Sequence, residues 1–152
     1  MNTETKNLVK YSFFTPYIRA SLVKAEKRKV PLTEMKWEVY PQAIAQMIKK
    51  FNGYQQIKKL YITENGAAFK DELTGNQVDD PQRVKYLQNH IGQVLQAKQA
   101  GYKVDGYFVW TLTDNFEWAE GYHPRFGLIY VDFETQQRII KSSGYWYADF
   151  LK

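Results

Sequence analysis

Between residues 41 and 53 the apolar positions follow a helical period. Ile44, Met47, Ile48 and Phe51 fall at i, i+3, i+4 and i+7, behind Pro41 and ahead of Asn52-Gly53. That spacing predicts a one-faced amphipathic helix with proline in its first turn and glycine at its end. A second stripe, Val84, Leu87, Ile91, Val94 and Leu95, lies between Pro81 and Gly101, with Asp79 or Asp80 available as the cap. It predicts another helix. Three other stretches are continuous or β-favouring instead: Tyr11 to Thr15, closed by Pro16; Ile57 to Thr63; and Val104 to Leu112. The last has the pattern of a strand buried on both faces. Strand, helix, strand, helix, strand implies βαβ units and a parallel sheet, so the fold class is α/β. Residues 19–36 read as a long basic loop and Lys70 to Asp80 as a polar one. Phe126 to Asp132 and Arg138 to Lys141 predict a hairpin turning at Glu134-Thr135, and Ser142 to Leu151 a closing helix.

Composition narrows the function. With no cysteine there is no disulfide framework, thiol nucleophile or Cys-based zinc site. His90 and His123 have no partner pattern, so no metal and no cofactor is expected. No apolar run is long enough to cross a membrane, and Met1 to Lys6 lacks the apolar core of a leader. A soluble, cytoplasmic chain without membrane partners is the expectation. The net charge of +5 is uneven: residues 1–60 carry 12 Lys/Arg against 4 Asp/Glu, and residues 61–152 carry 9 against 12. The densest basic run, Lys24 to Lys29, has no aromatic residue interleaved, which favours a solvated loop over a nucleic-acid surface.

The chemistry-bearing residues gather at strand ends. Glu64 and Asn65 follow the second predicted strand. Asp114, Asn115, Glu117 and Glu120 follow the third, interleaved with Phe116, Trp118 and Tyr122. Parallel α/β folds bind ligands outside the carboxyl ends of their strands. Sugar hydroxyls need acceptors and sugar faces need aromatic platforms, so carboxylates beside Trp and Tyr suit a carbohydrate.

Four segments carry a resemblance. Tyr61-Ile62-Thr63-Glu64-Asn65-Gly66 resembles the nucleophile signature of glycoside hydrolase family 1, the retaining β-glucosidases and β-galactosidases. Gly106 to Tyr122 is similar to that family's last barrel strand and following loop, Arg125 to Asp132 continues it, and Trp37-Glu38-Val39-Tyr40-Pro41 resembles an upstream segment. The resemblance runs from about Tyr11 onward. It implies a partial TIM (β/α)8 barrel, about the last three β/α units with a hairpin and C-terminal helix, forming one incomplete domain over residues 1–152.

Carried over, the resemblance makes Glu64 the catalytic nucleophile. Glu117 would accept hydrogen bonds from the C4 and C6 hydroxyls, Trp118 would contact the C3 and C4 side, and Trp110 would lie under the ring. Phe126 would line the wall near C6 and Trp37 would face the aglycone. Glutamate at 117, where the family's phosphoglycosidases carry serine, favours an unphosphorylated β-glucoside or oligosaccharide. Two departures accompany this. Ser12-Phe13-Phe14 stands where the family has a segment ending in a tyrosine that bonds the nucleophile, and no Asn-Glu-Pro occurs to supply the acid/base. Glu120, Asp114 and Glu38 lack the address to replace it. Retaining hydrolysis needs two carboxyls about 5–5.5 Å apart. The expectation is therefore a β-glucosidase fragment inactive alone, self-associating or pairing with an N-terminal barrel portion. A non-catalytic sugar-binding or interaction module on the same scaffold is the alternative.

Overall fold

The computed structural model describes residues 25–152, and the strand and Phe14 departure expected near residues 11–15 lie outside them. The chain divides into two compact units. In the first, the described residues are 25–32 and 36–39. They form a short 3-10 turn, Ala25–Arg28, and an antiparallel bridge between Leu32 and Glu38. An Arg28–Glu38 ion pair at 2.6 Å closes it.

The second unit holds residues 33–35 and 40–152. Helix α1, Gln42–Asn52, begins after Pro41 and ends at Gly53 as its sequence dictates. Only Ile48 on it is buried, with Ile44 half-buried, while Met47 and Phe51 stay exposed. Strand β1, Leu60–Asn65, follows, so Glu64 and Asn65 are its last residues rather than loop residues beyond it. The stretch expected as a polar loop contains a two-residue hairpin, β2 (Leu73–Thr74) and β3 (Gln77–Val78). Gly75 makes its turn possible at φ +60°.

Helix α2, Pro81–Gln99, places Leu87, Ile91, Val94 and Ala97 inside and leaves Leu95 at the surface. Asp80 precedes it but makes no side-chain cap; its carboxylate is engaged elsewhere, as described below. Gly101, at φ +83°, turns the chain into β4, Val104–Val109, which pairs in parallel with β1. Ile48, Val94, Ala97 and Val104 form an apolar cluster, with Ile44, Leu60, Ile62, Tyr102 and Tyr107 packed against it. Burial of such side chains contributes roughly 1.5–3 kcal/mol each.

The segment from Val104 to Leu112, apolar on both faces in its pattern, is covered on one face only, as an incomplete barrel entails: Phe108 is 57% and Leu112 65% exposed. Helices cover one face of the β1–β4 pair, and Tyr61 and Phe108 remain open to solvent among the described residues. The hairpin β5 (Ile129–Val131) and β6 (Arg138–Ile140) forms as expected, turning through 132–137, and α3, Ser142–Phe150, ends the chain. No helix among the described residues is long and apolar enough to cross a membrane.

Candidate active site

Glu64 owes its position to an irregularity. Between Ile62 and Asn65, β1 advances three residues while β4 advances two, from Tyr107 to Val109. One extra residue is therefore accommodated in Thr63–Glu64, and the inside–outside alternation breaks so that both are exposed in succession. A bulge of this kind re-aims side chains at the end of a strand.

The neighbouring strand end is fastened to it. Trp110 N donates to Asn65 O at 3.0 Å. Gly66 presses so closely on Trp110 that a Cβ at residue 66 would sit 1.6 Å from the Trp110 carbonyl oxygen. Asn65 is held from both sides, its amide donating to Tyr86 Oη at 3.2 Å and its oxygen accepting from Tyr107 Oη at 2.7 Å. Burial pushes both phenols above their ordinary range, so both stay protonated at neutral pH, Tyr107 as a donor and Tyr86 as an acceptor toward Asn65. Sequence reasoning singled out neither tyrosine; their aromatic bodies read as core, and only the fold turns the hydroxyls toward one asparagine.

Beyond β4 the chain runs into an exposed aromatic loop. Phe116 is 55%, Trp118 82% and Tyr122 55% exposed. The Glu117 amide donates to Gly121 O at 2.7 Å, and Trp118–Glu120 forms one 3-10 turn. Glu117 Oε2 accepts from Asn115 Nδ2 at 3.2 Å. The Asn115 side-chain oxygen is buried without a hydrogen-bond partner among the described residues. Trp110 is half-buried at the root of this loop.

Several expected contributors have other surroundings. Asp114 is 4% exposed, and four donors occupy its carboxylate: Gly127 N and Lys141 Nζ on Oδ1, Arg125 and Val131 N on Oδ2. It is a structural anion. Phe126 is 2% exposed, so its ring is not offered to a ligand within this chain. Trp37, 51% exposed, belongs to the first unit. His123 lies at the surface 3.5 Å from Glu34, and His90 is packed against the Tyr86 ring. No group of metal-binding side chains occurs among the described residues.

A buried charge cluster joins the site's supports. Arg83, 1% exposed, pairs with Asp71 at 3.0 Å and with Asp80. Lys141, fully buried, pairs with Asp71 and, at 2.8 Å, with Asp114. Asp80 also accepts from the Ser143 amide at 2.8 Å and hydroxyl at 2.6 Å. Burial and the nearby Arg83 charge hold the Lys141 pKa below its ordinary value, against the pull of Asp114 and Asp71. Apart from this, a cleft of about 410 Å³ opens between the β2–β3 hairpin, Ile140 and Tyr145, and no candidate residue lines it.

The Glycosyl hydrolase family 1 profile matches residues 3–152. A 1,4-beta-D-glucan glucohydrolase of Thermotoga neapolitana is 48% identical over the whole chain, which spans 34% of that protein. A 6-phospho-beta-galactosidase of Clostridium acetobutylicum is 43% identical over 78% of the chain and 25% of its own length. Among solved structures, the family 1 b-glucosidase of Thermotoga maritima superposes with a TM-score of 0.79 at 50% identity, covering 82% of this chain and 28% of that one. The same organism's beta-glucosidase in complex with a methoxycarbonyl-substituted glucoimidazole gives 0.83 at 48% identity, covering 91% of this chain and 31% of that one. The chain thus spans between a quarter and about a third of the length of these relatives.

Proposed function

The chain belongs to glycosyl hydrolase family 1, and from that premise we propose that it carries the nucleophile half of a retaining β-glucosidase site. Glu64 is the nucleophile. Its carboxylate attacks the anomeric carbon, the glycosidic C–O bond breaks, and a glucosyl ester forms that water then hydrolyses. Trp110 supplies the platform under the ring, and Glu117 and Trp118 meet the hydroxyls on its far side. Phe126, being buried, supports the loop rather than touching the sugar.

The observation that carries this reading is the pairing of strand ends. The bulge leaves Glu64 exposed, while the hydrogen bond from Trp110 N to Asn65 O fixes the adjacent residue to the root of the aromatic loop. Nucleophile and platform therefore share one backbone junction. The acceptor at Asn115, unpartnered among the described residues, is a further point for a hydroxyl donor.

The acid/base belongs to the part of the barrel that this sequence does not contain, and residues 1–152 make up one incomplete barrel domain. The exposed face of Tyr61, Phe108 and Leu112 is where that remainder packs. Substrates are unphosphorylated β-glucosides, because Glu117 repels a phosphate that a neutral residue would tolerate. The experiment is intact mass after incubation with a 2-deoxy-2-fluoro glucoside bearing a dinitrophenolate leaving group, which departs without acid assistance. One sugar adduct, absent in Glu64→Gln, is expected, together with no turnover of alkyl glucosides. A folded chain that gains no adduct overturns the nucleophile assignment; sugar binding that persists without an adduct would identify a binding module instead.

A further inference from the structure

Arg83 lies on α2, outside the set of residues read as meeting the sugar, yet its guanidinium reaches both loops of the candidate site. Nε donates to Ala67 O at 3.4 Å and Nη2 to Phe69 O at 3.4 Å, both in the segment that follows Glu64. Nη2 also donates to Arg125 O at 2.6 Å, at the far root of the aromatic loop. Phe69 N donates to the same carbonyl at 3.4 Å. The ion pairs extend the link, since Asp71 joins Arg83 to Lys141, Lys141 joins Asp71 to Asp114, and Asp114 holds Arg125 at 3.1 Å. Three cations face three carboxylates, so the cluster is neutral as a whole.

We propose that Arg83 is a positioning residue that clamps the loop after β1 to the loop after β4, so that Glu64 and the Glu117–Trp118 tip are held in one register. This rests on the nucleophile reading above for its functional meaning, though not for its geometry. The clamp requires arginine. A planar fork with five donors serves three carbonyls and two carboxylates from one plane, which the compact ammonium of lysine cannot do. Because the same group bonds both loops, neither can leave without breaking bonds that hold the other.

Native-state hydrogen exchange on the full chain tests the clamp. In the unmodified protein, amides of residues 67–71 and 113–128 should open together, with one dependence on denaturant. Arg83→Lys keeps the charge but loses the fork. It should speed exchange in both loops by a common factor of about ten or more, leaving the amides of 60–62 and 104–108 nearer their original rates. Loops that open independently in the unmodified chain overturn the proposal, as does a variant in which one loop alone, or the whole chain uniformly, responds. Labelling by the fluoroglucoside gives the functional readout. In Arg83→Lys the inactivator should bind about tenfold more weakly while its rate at saturation changes less; equal labelling of both proteins overturns the positioning role. Failure of the unmodified chain to label would count against Glu64 as nucleophile, and exchange would still decide the clamp.

Discussion

The root and the tip of the aromatic loop are built on opposite principles. At the root, Asp114, Arg125 and Lys141 are tied together, and every lone pair of Asp114 that points inward meets a donor. Even Gly127 is required there, because a Cβ would come within 2.3 Å of the Asp114 amide nitrogen. At the tip, Phe116, Trp118 and Tyr122 project into solvent. Tyr122 meets the Phe116 and Phe133 rings, at 5.3 and 4.4 Å. The carboxylate of Asp114 is saturated with donors, whereas the rings at the tip have most of their surface in solvent. Ionic contacts and exposed aromatic surface are thus separated along a dozen residues of one loop.

The sharpest way to break this contrast is at the root. Lys141→Met leaves Asp71 and Asp114 short of a cation in a buried cluster, and should cost about 3–5 kcal/mol of unfolding free energy by urea titration. Tyr107→Phe is the next step down. It takes the donor from the half-buried Asn65 oxygen and should cost about 1 kcal/mol, with the strand end beside Glu64 loosened. His90 gives a smaller, pH-dependent effect. Burial lowers its pKa from 6.5, against the hydrogen bond to Tyr86 O, so the unfolded chain binds the proton more readily than the folded one. Stability from this group is fully present above about pH 6.5 and is lost as pH falls through the folded value, at no more than about 1.4 kcal/mol per pH unit. His90→Gln should flatten that slope in thermal melts. Trp118→Ala, at the tip, should change stability by less than about 0.5 kcal/mol yet weaken glucoside binding measurably by calorimetry. A large loss of stability there would abolish the distinction between root and tip.

How much of this could be read from the sequence differs by element. Helix α1 was set by Pro41, its apolar spacing and Gly53, all local signals. The hairpin of β5 and β6 was equally plain. The small hairpin at Leu73–Val78 hid in a polar stretch, although Gly75-Asn76 is a turn pair that marks it. In Val104 to Leu112 the composition reports what a strand is made to be buried against, whereas its exposure depends on what is present to cover it. Asp114 was read as a ligand-facing carboxylate from its neighbours in sequence; its neighbours in space are Lys141 and Gly127, and no periodicity announces them. Arg83 and Lys141 were invisible for the same reason. A charged residue on a helix face reads as solvent-facing until its partners arrive from elsewhere in the chain.

The extra residue in Thr63–Glu64 has a consequence for how the chain tolerates change. A strand has a parity, and an insertion or deletion reverses which way every later side chain points. In β1 that parity is spent at the last possible place, after Leu60 and Ile62 have packed inward and just before Asn65 must meet Tyr86 and Tyr107. Deleting Thr63 would leave Glu64 directly after inward-facing Ile62, still on the side away from the helices, with Asn65 still inward, and would shorten by one residue the exposed run that precedes Asn65. How far the end of this strand reaches before Asn65 is therefore written as much in a count as in residue types, and a library that varies identities at fixed length would never alter it.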